Sequence, residues 1–526
     1  MILYPLSSIL YPLSSIFDSR WSVVGGRSSV FGGTSMLIEL KRGSAQPLYM
    51  QLAHDIQRRI RSGALPPGAR LPTVRELARQ LGVTRLTIHS AYSELQAGGW
   101  VEATVGRGTF VADQPASASA LAQPNSELSA HTLLSDMLRM AQLPGLRSLA
   151  MADPAPELYP LREFKNALDE AFSSSGTAIL VYVTPQGDPL LRTILADQLR
   201  DRGVHAGPDE ILITSGASQA IALIAQALAR PGDAVIVEQP TYLGVLNVLN
   251  AQGVRPIGAP LDEDGLVVDA LEPLILAHRP RFIYTIPVFQ NPTGVCLSPA
   301  RRVALLELAA RHRIPLVEDD IYGRLAYEGE PAPALKADDP DGLVVHIGSF
   351  SKSLLPGIRI GYIAAAPELV GRLVVVKQAN DLCSPPLLQR ALALFLQHGR
   401  LTTHLRRAIP RYRERRDALL TAMSRHFPSG LRWTTPRGGF CSWVALPPPI
   451  STTELYLAAV ERGVAFAPGD VFFSGPAPRP YMRLAFATQP PEVIHEAIQI
   501  LGDVLSMHLT RRSFKAPAIT DYVPLV

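Results

Sequence analysis

A chain of 526 residues, 47% hydrophobic and 18% charged, is too long for one ordinary domain and too apolar for wholesale disorder. Its three cysteines, Cys296, Cys383 and Cys441, are too widely spaced for a disulfide framework or a zinc site, and no apolar run approaches the ~20 residues of a membrane span, so a soluble protein of a reducing cytoplasm is expected. The net charge of +4 is local: Gln46 to Val111 holds eight arginines against four carboxylates and the remainder sums to zero, a basic module on a neutral body that suits a polyanion partner.

Residues 1–35 stand apart. The string ILYPLSSI occurs at 2–9 and again at 9–16. A proline in each copy rules out a heptad helix, and no basic residue precedes the apolar stretch as a signal peptide requires. A disordered extension or a mis-assigned start ahead of Met36 is expected.

A compact block follows within 36–111. Leu48, Leu52, Ile56 and Ile60 recur at helical spacing, with Gly63 as the stop. A second helix is predicted from about Val74 to Leu81, ending at Gly82. Thr84 can cap a third, whose inward face is Ile88, Tyr92 and Leu95. The break at Gly82-Val83-Thr84 reads as the turn of a helix-turn-helix. Arg85, Thr87, His89 and Ser90 then fall on or near the outward amino-terminal half of the third helix, where a recognition helix meets base edges. Trp100–Ala103 and Gly108–Val111 predict a hairpin with Arg107 at its tip, suited to a phosphate or minor-groove contact. The words LP-x-x-RELA, GVTR-x-T and GRGTFV resemble the GntR-type winged helix. That resemblance puts Arg75, Arg85, Thr87, Arg107 and Gly108 at DNA-contacting positions.

Residues 112–147, rich in Ala, Ser, Gln and Pro, read as a flexible linker. Beyond it, short β-branched runs at 211–214, 234–238, 282–286, 315–319 and 343–347 alternate with amphipathic stretches. The alternation predicts βαβ units and a mostly parallel central sheet covered on both faces.

Four words mark the ends of these runs. Ser215-Gly216-Ala217-Ser218-Gln219 opens a helix with a small-residue turn able to present N–H groups to a phosphate. Asn291-Pro292-Thr293-Gly294 follows the third run. Asp319, in Glu318-Asp319-Asp320-Ile321-Tyr322, ends the fourth, where a buried carboxylate could hold a cationic ring nitrogen and an ordinary strand-end cap would serve as well. Lys352, one of only six lysines, lies in SFSKSLLPGIRIGY at 349–362 with Arg359 seven residues on. Each word alone is equally at home on an ordinary surface loop.

Together they resemble the fold-type I aminotransferases from about Leu149 to His508. The resemblance implies an α/β domain at 148–510 with a smaller C-terminal α/β subdomain, a tail at 511–526, and pyridoxal 5'-phosphate as cofactor. It makes Lys352 the Schiff-base lysine and Asp319 the partner of the ring nitrogen. Asn291 and Tyr322 would bond the phenolic oxygen, and Tyr242 would stack on the ring. Gly216, Ala217, Ser218, Ser349, Ser351 and Arg359 would surround the phosphate, with Tyr182 reaching it from a partner subunit. Ala217 departs from the Ser or Thr frequent there, which leaves the cradle one side-chain bond fewer. Arg483 in YMRLAFA matches the arginine that clamps a substrate carboxylate. A GntR-type winged helix joined to such a domain is the plan of the MocR-type regulators, which implies a homodimer that binds operator DNA and senses an amine, an amino acid or the cofactor itself. Because Asn291 and Arg483 are both present, an active aminotransferase carrying a DNA-binding domain is the alternative reading.

Overall fold

The computed structural model describes residues 48–97, 99–104, 108–112, 145–330, 332–448 and 450–513. Residues 1–35, Arg107, most of the 112–147 linker and the tail from 514 lie outside the described residues. The chain divides into two compact units, Met1–Ser126 and Glu127–Val526.

In the first unit, α1 (Leu48–Arg61), α2 (Val74–Leu81) and α3 (Arg85–Ala97) precede the hairpin strands β1 (Val101–Thr104) and β2 (Gly108–Val111). The start of α2 is fixed chemically. Thr73 Oγ1 accepts from the Glu76 N–H while the Glu76 carboxylate accepts from the Thr73 N–H, closing a capping box. At α3, Thr84 Oγ1 accepts from the Thr87 N–H at 3.1 Å, and Tyr92 OH donates to Pro72 O at 2.7 Å, tying α3 to the loop before α2. Leu52, Ile56, Leu77, Ile88, Leu95 and Val101 form the core. Arg75, Arg85 and His89 are exposed, and Thr87 is half-buried. Gly108 opens β2 at φ 119°, where a Cβ would come within 3.0 Å of Arg70 Nε. The wing therefore needs glycine there for its backbone as well as for any contact it makes.

The second unit begins at β3 (Arg147–Ser148) and centres on an eight-stranded sheet. Its strands are β4 (Ile211–Thr214), β5 (Ala234–Gln239), β6 (Arg255–Asp262), β7 (Gly265–Leu266), β8 (Ile283–Thr285), β9 (Leu316–Asp319), β10 (Val344–Ser349) and β11 (Gly361–Ala364), in the order β4-β11-β10-β9-β8-β5-β6-β7. The pairs from β10 through β9, β8 and β5 to β6 are parallel. Only β11 and the short β7 run against them. The five runs picked out from the sequence are all strands; β11 and β6 were not among them.

Apolar clusters lie on the two faces of this sheet. One gathers Leu212, Ile224, Val237, Leu249 and Tyr284, the other Ile236, Leu271, Ile283, Leu305 and Leu316, as alternation along buried parallel strands requires. A smaller subdomain carries a second sheet, β12 (Arg432–Trp433), β13 (Cys441–Ala445), β16 (Tyr481–Ala485) and β15 (Ala467–Pro468). Here β14 (Val464–Ala465) pairs in parallel with β3, and the final helix runs Pro491–Ser513, past the boundary of 510 expected from the sequence. Among the described residues no helix is long and apolar enough to cross a membrane.

Candidate functional site

The parallel strands β5, β8, β9 and β10, together with β4, deliver side chains from their carboxyl ends, the edge where open α/β sheets place ligands. From β4 the chain passes through Ser215 and Gly216 into the helix Ala217–Leu228, here α4. Its N-cap makes no side-chain hydrogen bond, which leaves the first-turn N–H groups for an anion. Gly216 has φ 85°, and a Cβ there would stand 2.7 Å from Arg359 Nη2. Arg359 donates from Nη1 to Ser351 Oγ at 3.3 Å and from Nη2 to Ser215 O at 3.1 Å, and the Ser351 N–H donates to Ser349 Oγ at 3.2 Å. Gly216, Ser349, Ser351 and Arg359 are thus one cradle, at whose mouth Ala217 and Ser218 start α4. Gln219 closes it from behind, accepting from the Ser215 N–H and donating to Asp381.

Asp319 sits at the end of β9 with no exposed surface. Tyr284 OH donates to its Oδ2 at 2.6 Å, while buried Oδ1 has no partner. Burial pushes the Asp319 carboxyl up to about 6. Tyr322 OH is likewise buried without a partner. Two orphaned polar atoms, at the carboxyl end of β9 and three residues beyond it, ask for a ligand that bonds both. A protonated ring nitrogen suits Asp319 Oδ1, and a phenolic oxygen suits Tyr322 OH. With the anion cradle beside them, the residues fit pyridoxal phosphate, an electron-withdrawing ring on which amine chemistry is done when it is bound.

Asn291 and Arg483 are brought together: Arg483 Nη1 donates to Asn291 Oδ1 at 3.0 Å, Nη2 donates to Ala150 O, and the guanidinium lies 4.9 Å over the Phe472 ring. Arg483 Nε is buried and unpaired. Behind Asn291, buried Glu238 accepts from Thr285, from the Ile286 N–H and from Gln290, whose own oxygen accepts from Thr293. Burial holds the Glu238 carboxyl up at about 7. The Tyr242 ring, at the head of the helix Leu243–Ala251, is so close to Gly244 that a Cβ there would fall 2.3 Å from it.

Lys352 Nζ donates to Asp153 Oδ1 at 2.8 Å. Tyr182 is 83% exposed and does not join the site within one protomer. The sequence words do not single out Asp153, Tyr284 or Glu238, and Gln219 enters only as the end of the Ser215–Gln219 turn. Tyr284 could have been found, because the neighbouring parallel strands β8 and β9 set its ring beside Asp319; Asp153, in an irregular segment, carried no such signal.

The raised Asp319 carboxyl has a measurable consequence. Between its ordinary 3.8 and about 6 the folded chain keeps a proton that the unfolded chain has released, so stability falls as pH rises through that window. Thermal unfolding without added cofactor should show that decline, and Asp319→Asn should flatten it. An equal slope in the variant would contradict the assignment.

Comparison with known proteins agrees with both halves. The family described as bacterial regulatory proteins, gntR family, matches residues 48–111, and aminotransferase class I and II matches residues 150–501. The probable rhizopine catabolism regulatory protein MocR of Rhizobium meliloti is 31% identical over 474 residues, 88% of this chain and 95% of that protein. Aromatic-amino-acid aminotransferase 1 of Thermococcus litoralis is 37% identical over 382 residues, 72% of this chain and 92% of that protein. Among solved structures, LysN, an alpha-aminoadipate aminotransferase of Thermus thermophilus complexed with N-(5'-phosphopyridoxyl)-L-leucine, superposes with a TM-score of 0.68 at 35% identity, covering 73% of this chain and 97% of that one. The chain belongs to the MocR-type regulators, in which a GntR winged helix-turn-helix for DNA is joined to a pyridoxal-phosphate aminotransferase class I and II domain.

Proposed function

We propose that this protein is a transcription regulator whose aminotransferase-like domain senses an amine or amino acid through pyridoxal phosphate. The observation that carries the reading is the presence, on one chain with a GntR-type winged helix, of Lys352 and the orphaned Asp319 and Tyr322 atoms at and just past the ends of β10 and β9. Lys352 holds the cofactor covalently, Asp319 its ring nitrogen, Asn291 and Tyr322 its phenolic oxygen, and Tyr242 its ring face. Gly216, Ala217, Ser218, Ser349, Ser351 and Arg359 take the phosphate, and Arg483 takes the effector carboxylate. Tyr182, so exposed in one protomer, is assigned to the site of a neighbouring subunit in a homodimer. Arg75, Arg85, Thr87, Arg107 and Gly108 are assigned to operator DNA, the two winged helices of the dimer reading two half-sites.

A ligand shifts a regulator only by its differential affinity for two arrangements. An amine that displaces Lys352 from the cofactor supplies such a difference. Titrating operator DNA with and without candidate amines, while following cofactor absorbance, is the test. Amines should change DNA affinity in the wild type and leave Lys352→Ala unmoved. Full spectral conversion with constant DNA affinity and bending would hand the protein to the second reading, an active aminotransferase. That reading is favoured by one observation, the intact bond between Arg483 and Asn291.

A further inference from the structure

Asp153 belongs to a stiff strap. The Leu149 N–H donates to Ala465 O, Leu149 O accepts from the Ala485 N–H, and Ala150 O accepts from Arg483. Past Asp153, Pro154 O accepts from Tyr159 OH at 3.2 Å, and Arg415 grips Glu157. Two prolines, Pro154 and Pro156, restrict the turn between. The carboxylate is therefore held in place, 38% exposed, against a lysine side chain 20% exposed. Its field reaches Tyr322 and Cys441, and Cys441 also feels Lys352 and Arg483, so these groups lie near one another. Among the described residues, Lys352 Nζ has no recorded partner except Asp153.

We propose that Asp153 is the holding site for the displaced Lys352 ammonium, and so sets how readily an amine effector takes the lysine's place. The proposal rests on the reading of Lys352 as the cofactor lysine. An effector arrives as a primary ammonium. Its nitrogen forms a bond to the cofactor carbon, the bond from that carbon to Lys352 Nζ breaks, and the three protons that the effector ammonium sheds end on Nζ. No oxidant or reductant is needed, and the departing group is an ammonium. Asp153 stabilises that ammonium with a charge-assisted hydrogen bond and offers the bonded, uncharged nitrogen much less. It thereby acts on Lys352 against the cofactor and on the side of every amine that competes for it.

The test is Asp153→Asn, compared with wild type and with Asp153→Glu, in the full-length cofactor-loaded protein. Methylamine, alanine and lysine are titrated while the visible spectrum is followed, and cofactor retention is measured separately by dialysis. The asparagine variant should need about tenfold more of each amine for half-conversion and should retain cofactor at least as well as wild type, while glutamate restores the wild-type response in part. Loss of amine response together with cofactor would mark a merely structural role and overturn the proposal. So would an unchanged midpoint. A shift confined to lysine would instead make Asp153 a dock for an effector's second ammonium. A wild-type spectrum that ignores every amine would sink the sensor reading as well, whereas failure of the variant alone leaves that reading standing.

Discussion

Replacing Lys352 with alanine should abolish borohydride-fixable attachment of pyridoxal phosphate completely, leaving only weak, dialysable binding. No other described lysine is placed to substitute. Lys377 is buried and engaged by Asp381 and Ser384, Lys336 donates to Val344 O, and Lys165 pairs with Asp169 on an exposed helix face. The fold should survive, because Lys352 is only half-buried and its partner Asp153 is open enough to be hydrated. Visible absorbance, and intact mass after reduction, report the outcome. A Lys352→Ala protein carrying the same fixed cofactor mass would place the covalent link elsewhere.

Gly216→Val should weaken cofactor binding by about two orders of magnitude, the equivalent of roughly 3 kcal/mol. Two effects act together. The φ of 85° at this residue is unfavourable for any side chain and worse for a β-branched one. The added Cβ would also press within 2.7 Å of Arg359 Nη2, displacing a guanidinium held by Ser351 and Ser215. The damage falls on the phosphate cradle while the strand–helix frame around it stays packed, so thermal stability should drop by only a few degrees. Equilibrium titration of the variant with pyridoxal phosphate, followed by absorbance, measures it. Affinity within threefold of wild type would mean that the phosphate does not lie against this turn.

Much of this architecture could be read in advance where local chemistry and periodicity agree. The three helices of the winged helix carry their own punctuation, Gly63 and Gly82 at the ends of the first two and Thr84 at the start of the third, so tertiary context had little to add. The largely buried runs at 211–214, 234–238 and 343–347 read as strands for the same reason. The strand β11 escaped because Gly361–Ala364 is a short apolar run that could belong to any core element, and what makes it a strand is its place between β10 and β4, the latter some 150 residues earlier. Lys352 and Asp319 stood out only as members of a set of words; alone, each was an unremarkable strand-end residue. Asp153 and Glu238 were illegible because their meaning is spatial. The first acquires it from a lysine 199 residues away, the second from Thr285 and Gln290 on a neighbouring strand end.

The strap around Leu149 and Ala150 also bears on how the chain is made. Its partners are Ala465, Arg483 and Ala485, and the bond from Arg483 to Ala150 spans 333 residues. The winged helix closes its core within about sixty residues and can fold soon after it leaves the ribosome, whereas contacts this distant pay their loop-closure entropy late. Throughout synthesis the strap waits as a bare edge until nearly the whole chain has emerged, and the segment that carries Asp153 is among the last parts to take shape. A nascent chain halted before β16 would therefore have a finished winged helix and an aminotransferase-like domain whose strap still lacks its partner strand.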